Sequence, residues 1–171
     1  GQFTISTGSA SCTVCPIGYK GNSNKQQCDA CAEGKRQHLT SQTTCNSCAD
    51  GKYSKEQGFS GSTCYDCPAG YHSASEETSS SCTACDAGKY SDEMATQNGD
   101  CKTCPSGFYA ASAAVHCTAC AAGTYGDEEA KTLDTDCKDC AGGQFTNSSG
   151  SANCTECPMG YKGNGNKLQC E

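Results

Sequence analysis

The sequence contains no tryptophan, two methionines and four prolines, and its branched aliphatic residues stop at Ile5, Ile17, Val14, Val115, Leu39, Leu133 and Leu168. Ordering a chain costs roughly 1–2 kcal/mol per residue in backbone entropy. So few aliphatic side chains cannot offset that cost over 171 residues, which excludes a single large hydrophobic core. No apolar run is long enough to span a membrane. Neither a secretory leader nor a lipid-anchor tail is visible in the segment. Lys and Arg number twelve against nineteen Asp and Glu, a net charge of −7, so no nucleic acid partner is expected.

What is abundant is cysteine: nineteen residues, the composition of a disulfide scaffold. Such cross-linking persists in oxidising compartments, so an extracellular or secretory-pathway protein is expected. The cysteines recur in one mark: Cys-x-x-Cys, two residues, glycine, then Tyr or Phe at once or one residue later. It reads Cys12-Thr13-Val14-Cys15-Pro16-Ile17-Gly18-Tyr19 near the start and Cys154-Thr155-Glu156-Cys157-Pro158-Met159-Gly160-Tyr161 near the end. Between them lie the pairs Cys31 and Gly34, Cys48 and Gly51, Cys67 and Gly70, Cys85 and Gly88, Cys104 and Gly107, Cys120 and Gly123, and Cys140 and Gly143. Only the copy at Cys31 lacks the aromatic, reading Gly34-Lys35-Arg36.

First cysteines fall at 12, 28, 45, 64, 82, 101, 117, 137, 154 and 170, a period of 16 to 20 residues, which makes the chain a repeat array. The spacers are rich in Ser, Thr, Gly, Asn and Gln, and none carries helical periodicity for more than a turn. None is long enough for a βαβ crossover. The expected class is small disulfide-rich tandem repeats, mostly irregular with short β-strands and turns, an elongated rod without a single hydrophobic core.

A longer period sits above the short one. Residues 1–29 align without gaps on 143–171 and differ only at positions 5, 7, 11, 14, 17, 23, 26 and 29. Neighbouring short repeats share little beyond the mark, so an eight-unit block has been duplicated whole. Residues 1–142 form one block and 143–171 begin the next. A further cysteine is expected two positions beyond Glu171, in a parent protein with more blocks.

All four prolines, Pro16, Pro68, Pro105 and Pro158, follow the second cysteine of a mark. Cys-Pro-x-Gly fits a type I turn with proline second and glycine fourth. A glycine in every copy also suits positive φ or close packing on a disulfide. The aromatics just past the turn would each cover one disulfide. The ring without one, at Cys31, is expected to be the least well packed.

Connectivity is open between two schemes. In one, the second cysteine of each mark closes on the first of the next and Cys12 is left over, its partner upstream of Gly1. In the other, pairs interlock, Cys12 with Cys28 and Cys15 with Cys31 and onward, leaving Cys157.

Cysteine, two residues, glycine and an aromatic, then about a dozen residues to the next cysteine, resembles the opening half-module of tumour necrosis factor receptor repeats. That resemblance implies the first scheme: Cys15 with Cys28, Cys31 with Cys45, Cys48 with Cys64, Cys67 with Cys82, Cys85 with Cys101, Cys104 with Cys117, Cys120 with Cys137, Cys140 with Cys154, and Cys157 with Cys170. It divides the chain into modules 15–28, 31–45, 48–64, 67–82, 85–101, 104–117, 120–137, 140–154 and 157–170, after residues 1–14 as the tail of a preceding module. Cys12 is then unpaired within the segment. The alternating second half-modules of that receptor family are absent. The chained marks, above all Cys67-Pro68-Ala69-Gly70-Tyr71 and Cys85-Asp86-Ala87-Gly88-Lys89-Tyr90, are similar to ephrin-receptor-like repeats and to protozoan cysteine-rich surface antigens, including ciliate immobilisation antigens. Those form long arrays on cell and ciliary surfaces.

Other chemistries fit less well. Paired Cys-x-x-Cys is also a zinc-ribbon signature, but nine uniform marks in an acidic Ser/Thr/Gly-rich chain favour disulfides. Thioredoxin-like catalysis needs a thiolate on a βαβ frame that is missing. His38, His72 and His116 are scattered, and no nucleophile is paired with a base. Asp127-Glu128-Glu129 with Asp134 and Asp136 lacks the ladder of a calcium loop and reads as a solvated face. The basic stretch Lys35-Arg36-Gln37-His38 reads as exposed. Asn147-Ser148-Ser149 and Asn153-Cys154-Thr155 are possible N-glycosylation sequons at Asn147 and Asn153.

No enzyme activity, cofactor or metal is expected. The expected function is structural: an extracellular surface-coat or filament-forming array at a cell or ciliary surface, self-associating through its equivalent blocks. The alternative is a ligand-binding receptor ectodomain, for which Tyr65, Phe59 and Arg36 are the candidate contacts; a protein or glycan ligand stays unassigned.

Overall fold

A computed structural model describes residues 1–3, 13–24, 26–73, 79–97 and 99–171. Cys12 lies outside the described residues. Nine disulfides close successive rings, numbered 1 to 9 in chain order: Cys15–Cys28, Cys31–Cys45, Cys48–Cys64, Cys67–Cys82, Cys85–Cys101, Cys104–Cys117, Cys120–Cys137, Cys140–Cys154 and Cys157–Cys170. Each spans 13 to 17 residues of sequence.

A ring begins with a turn. The Phe108 amide donates to Pro105 O, that of Tyr19 to Pro16 O, and that of Lys89 to Asp86 O, and the same bond recurs in all nine rings. The glycine is the third residue of this turn, with φ between +75° and +89° in every copy, while the residue before it is not at positive φ. That is a type II turn, which requires positive φ at its third position. The expected type I turn is therefore corrected: the turn starts one residue later, at the proline position, and it is the positive φ that restricts the third place to glycine.

After the turn, two or three residues run as a strand. They pair with the two residues between the cysteines of the next mark. Phe108–Tyr109 pairs antiparallel with Thr118–Ala119 in the register Phe108↔Ala119 and Tyr109↔Thr118. Lys35–Arg36 pairs with Asn46–Ser47, Lys89–Tyr90 with Lys102–Thr103, and Thr124–Tyr125 with Lys138–Asp139 in the same way. Gln2–Phe3 and Thr13–Val14 form such a pair ahead of ring 1. Nine two-stranded sheets result among the described residues. Hairpins this short are not stable alone in water. Here the disulfide at the base of each closes the loop, restricting the unfolded chain by roughly 3 kcal/mol for a loop of this size.

Near-identity of the two copies carries into local structure. Lys20↔Asp29 and Gly21↔Cys28 are partners in ring 1. In ring 9, Lys162 and Glu171 exchange both backbone hydrogen bonds, at 3.0 and 2.8 Å, and Gly163 bridges Cys170.

The core consists of sulfur rather than hydrocarbon. Cys15, Cys31, Cys48, Cys67, Cys85, Cys104, Cys120 and Cys140, each the second cysteine of its mark, are all at most 3% exposed. The aromatics beyond the turn are half-buried or, for Tyr19 and Tyr161, exposed.

Backbone contacts divide the chain into two compact units, Gly1–Thr83 with Met94–Gly99, and Ala84–Glu93 with Asp100–Glu171. In the first unit the amides of Gly21, Gln37, Ser54 and Ser73 donate to the carbonyls of Gln42, Phe59, Ser79 and Thr96, each in the following ring. In the second, the amides of Ser91, Ala110, Gly126 and Thr146 donate to Ala114, Lys131, Ser151 and Lys167. Packing also reaches the second neighbour. A Cβ added to Gly88 of ring 5 would lie 2.7 Å from Ala130 C of ring 7, and one on Gly18 of ring 1 would lie 2.8 Å from Gly58 C of ring 3. At Gly18, Gly51, Gly88, Gly107 and Gly123 the mark glycine is thus needed both for its φ and for the space a neighbouring carbonyl occupies.

Candidate functional site

The recurring feature that could carry function is the junction between rings, so its parts are taken in turn. Three residues after the mark glycine of rings 1 to 8 comes a position whose backbone feeds the junction: Gly21, Gln37, Ser54, Ser73, Ser91, Ala110, Gly126 and Thr146. At Gln37, Ser54, Ala110, Gly126 and Thr146 its carbonyl accepts from the mark glycine of the preceding ring: Gly18 N donates to Gln37 O at 2.6 Å, Gly34 N to Ser54 O at 2.7 Å, and Gly88 N to Ala110 O at 2.8 Å. Its amide donates onward to the next ring. A site gripped from both sides has little room, and Ser54 and Ser73 are fully buried. Where it is a hydroxyl residue, the side chain closes its own ring, as Ser91 Oγ does on Glu93 O at 3.0 Å. Ser73 Oγ instead accepts from Gly51 N, at 3.0 Å.

A second anchor lies later in six of the rings, at a residue with positive φ whose amide donates to the second cysteine of the preceding mark. Ser41 donates to Cys15 O, Gly58 to Cys31 O, Ala95 to Cys67 O, Ala113 to Cys85 O, Ala130 to Cys104 O and Gly150 to Cys120 O, at 2.7 to 3.0 Å. Only two of these six are glycine, which is why sequence reading passed over them. The position three after the mark glycine was more legible, since all its occupants but Gln37 are small.

Gln37 also corrects the reading of its stretch as exposed. It is 2% exposed. Its Nε2 donates to Thr44 O at 2.8 Å and its Oε1 accepts from Leu39 N at 3.0 Å. A satisfied amide fills the ring that has no aromatic, while Lys35 and Arg36 are half-buried in their strand and His38 is exposed.

The charged side chains settle into pairs at the rim. Lys102 lies opposite Tyr90 in register and its Nζ reaches Asp92 at 2.6 Å, with the Tyr90 ring centroid 5.9 Å away. Lys138, opposite Tyr125, repeats the arrangement with Asp127 at 2.6 Å. The Lys102 hydrogen bond holds the Asp92 carboxyl below its ordinary range, and Lys138 does the same for Asp127. Asp136 is lowered because the Thr132 and Leu133 amides donate to its carboxylate at 2.9 and 3.0 Å. Lys131 binds Glu128. Of the acidic stretch, Asp127 and Glu128 are taken up in ion pairs and Asp136 in a turn cap.

Of the receptor candidates, Phe59 and Tyr65 come together and Arg36 does not join them. Tyr65 stacks at an angle on Phe59 at 5.2 Å and on Tyr53, its cross-strand partner, at 5.8 Å, with Lys52 and Asp66 paired beside them. Arg36 instead meets His38 Nδ1 at 3.2 Å. His72 Nδ1 lies 2.8 Å from Ser73 O. Asn147 and Asn153 are both exposed.

Residues 107–157 match the sequence profile of a family described as tyrosine-protein kinase ephrin type A/B receptor-like. The matched stretch runs from the ring 6 glycine to the second cysteine of the last mark, and the same turn and ring closure recur throughout the described residues. The chain is a tandem cysteine-rich repeat protein. The matched stretch is similar to ephrin-receptor-like repeats, and with nine disulfides the chain is an extracellular cysteine-rich module. No curated protein matches it. No helix among the described residues of this repeat protein is long and apolar enough to cross a membrane.

Proposed function

We propose that the chain is a structural component of an extracellular surface coat or filament, whose blocks associate with one another, and that it catalyses no reaction and holds no cofactor. One observation supports this reading above the others: all eight junctions between successive rings carry a backbone hydrogen bond from the same position. A joint made from main-chain groups tolerates almost any side chain outside the cysteines, the glycines and the small buried position. It can therefore be repeated without limit, as a coat or fibre requires. The near-identical 142-residue blocks would present equivalent surfaces, the condition for regular assembly. Sedimentation and negative-stain imaging of a polypeptide carrying two or more blocks test the idea. Concentration-dependent assembly into sheets or fibres is expected, and a chain that stays monomeric at every concentration would sink it.

The second reading, a ligand-binding receptor ectodomain, is favoured by the half-exposed Tyr53–Phe59–Tyr65 cluster, since aromatic clusters of this kind anchor interfaces. Under it, Tyr65→Ala abolishes binding to cells that bind the intact chain, whereas under the structural reading such binding is absent or unchanged.

A further inference from the structure

The two sequons differ in what the fold does to them, and both belong to one copy of the repeated block. Asn147, Ser149 and Asn153 stand where the first copy has Ile5, Thr7 and Ser11, so the chemistry is present in the second block and missing from the first.

In ring 8, Asn147, Ser148 and Ser149 are all exposed and lie outside any strand. The loop is held from its two ends. Thr146 N donates to Lys167 O at 2.9 Å, and Thr146 Oγ1 lies 2.7 Å from Ser151 Oγ. Gly150 N donates to Cys120 O at 2.8 Å, and Ser151 O accepts from Gly126 N at 3.0 Å. The three residues between these anchors point no backbone group into the junction. A bulky group on Asn147 therefore displaces none of the contacts that join ring 8 to its neighbours. Asn147 Oδ1 accepts only from the adjacent Ser148 Oγ, at 3.3 Å.

Asn153-Cys154-Thr155 is tied down at both following residues. Cys154 is bonded to Cys140, and Thr155 is the strand partner of Phe145. A sequon must bend out of its fold to enter a transferase groove, and this one cannot do so once the ring has closed. Closure joins cysteines only 14 residues apart, a loop short enough to form early.

We propose that Asn147 is an N-glycosylation site and that Asn153 is not, so that glycan decorates the second block at a position the first leaves bare. This rests on the extracellular reading. The co-reactant is a polyprenyl-diphosphate-linked oligosaccharide. Asn147 Nδ2 forms a bond to the anomeric carbon, the bond from that carbon to the diphosphate oxygen breaks, the diphosphate leaves with the electron pair, and the amide proton is released.

The test is secretion of the 171-residue chain from cultured animal cells, with intact mass measured before and after peptide-N-glycosidase treatment and peptide mapping of the sites. One glycan is expected, with Asn147 converted to Asp by the enzyme and Asn153 untouched. Asn147→Gln should lose the whole mass shift and Asn153→Gln should keep it. Ser149→Ala, which spares Asn147 itself, should also lose it and serves if the first variant is not secreted. Absence of glycan, occupancy of Asn153, or a shift that survives both Asn147→Gln and Ser149→Ala would each overturn the proposal. Thiol titration of the same material separates the two readings: a secreted chain with its nine disulfides closed but no glycan defeats the site and leaves the extracellular assignment standing.

Discussion

Gly107→Ala and Gly143→Ala make a matched pair that isolates the packing between rings from the strain of the turn. Both glycines occupy the third place of the same type II turn, at φ +87° and +82°. A Cβ costs about 1–2 kcal/mol in this left-handed region wherever it is placed. The surroundings differ. At Gly143 a Cβ meets nothing within 4 Å, whereas at Gly107 it would overlap the Gly150 carbonyl of ring 8, with Gly150 C only 2.6 Å away. Relief requires ring 8 to move off ring 6, and that motion loads the Gly107 N to Gly126 O and Gly150 N to Cys120 O hydrogen bonds, both 2.8 Å. At about 1 kcal/mol each, their loss adds about 2 kcal/mol to the turn penalty. Native-state hydrogen exchange is the suitable assay, because repeat arrays need not unfold in one step. Protection of the amides of residue 107 and Gly150, the donors of those two bonds, should fall roughly 30-fold more in Gly107→Ala than in Gly143→Ala, the ratio that about 2 kcal/mol represents. Equal losses in the two variants would show that the glycine is kept for its φ alone and that second-neighbour contact contributes nothing.

Three further outcomes are expected. Replacing Cys104 and Cys117 together by serine should cost roughly 3 kcal/mol, and in exchange experiments the loss of protection should stay within rings 5 to 8; collapse of ring 2 or ring 3 protection would contradict a stability carried by near neighbours. Gln37→Ala leaves Thr44 O and Leu39 N without their buried partner and should destabilise ring 2 by roughly 1–3 kcal/mol, while Gln37→Ser, the residue found at this position in rings 3 to 5, should be milder; thermal melts of both variants decide the order. Asp92, Asp127 and Asp136 have carboxyls lowered in the folded state, so their stabilisation is complete above the unfolded value of about 4 and is lost as pH falls through the lower folded values. The melting temperature at low salt should hold steady from pH 8 to pH 5 and decline only below about pH 4, and a decline beginning near pH 6 would refute the assignment to these carboxylates.

The residues that could be read in advance are those for which covalent chemistry or sterics leaves one choice. The cysteine spacing announces a chain of short cross-linked units, and the mark glycine announces a constrained backbone, because its positive φ strains any other side chain. The scarcity of aliphatic residues likewise excludes a hydrocarbon core, and the buried sulfurs of Cys67, Cys85 and Cys104 stand in its place. Gln37 was misjudged because a polar residue in a basic stretch carries no mark of burial, and its role is visible only in the bonds its amide makes to Thr44 and Leu39. Tertiary structure alone decided which atoms join one ring to the next. Those atoms are main-chain amides and carbonyls, such as Ala110 N with Lys131 O and Ala113 N with Cys85 O. Every residue but proline has both groups, so no choice of side chain at Ala113 could have announced them. The sequence determined a string of short cross-linked units but left their pairing open between two schemes, and the geometry between rings was settled by backbone groups that every residue but proline carries.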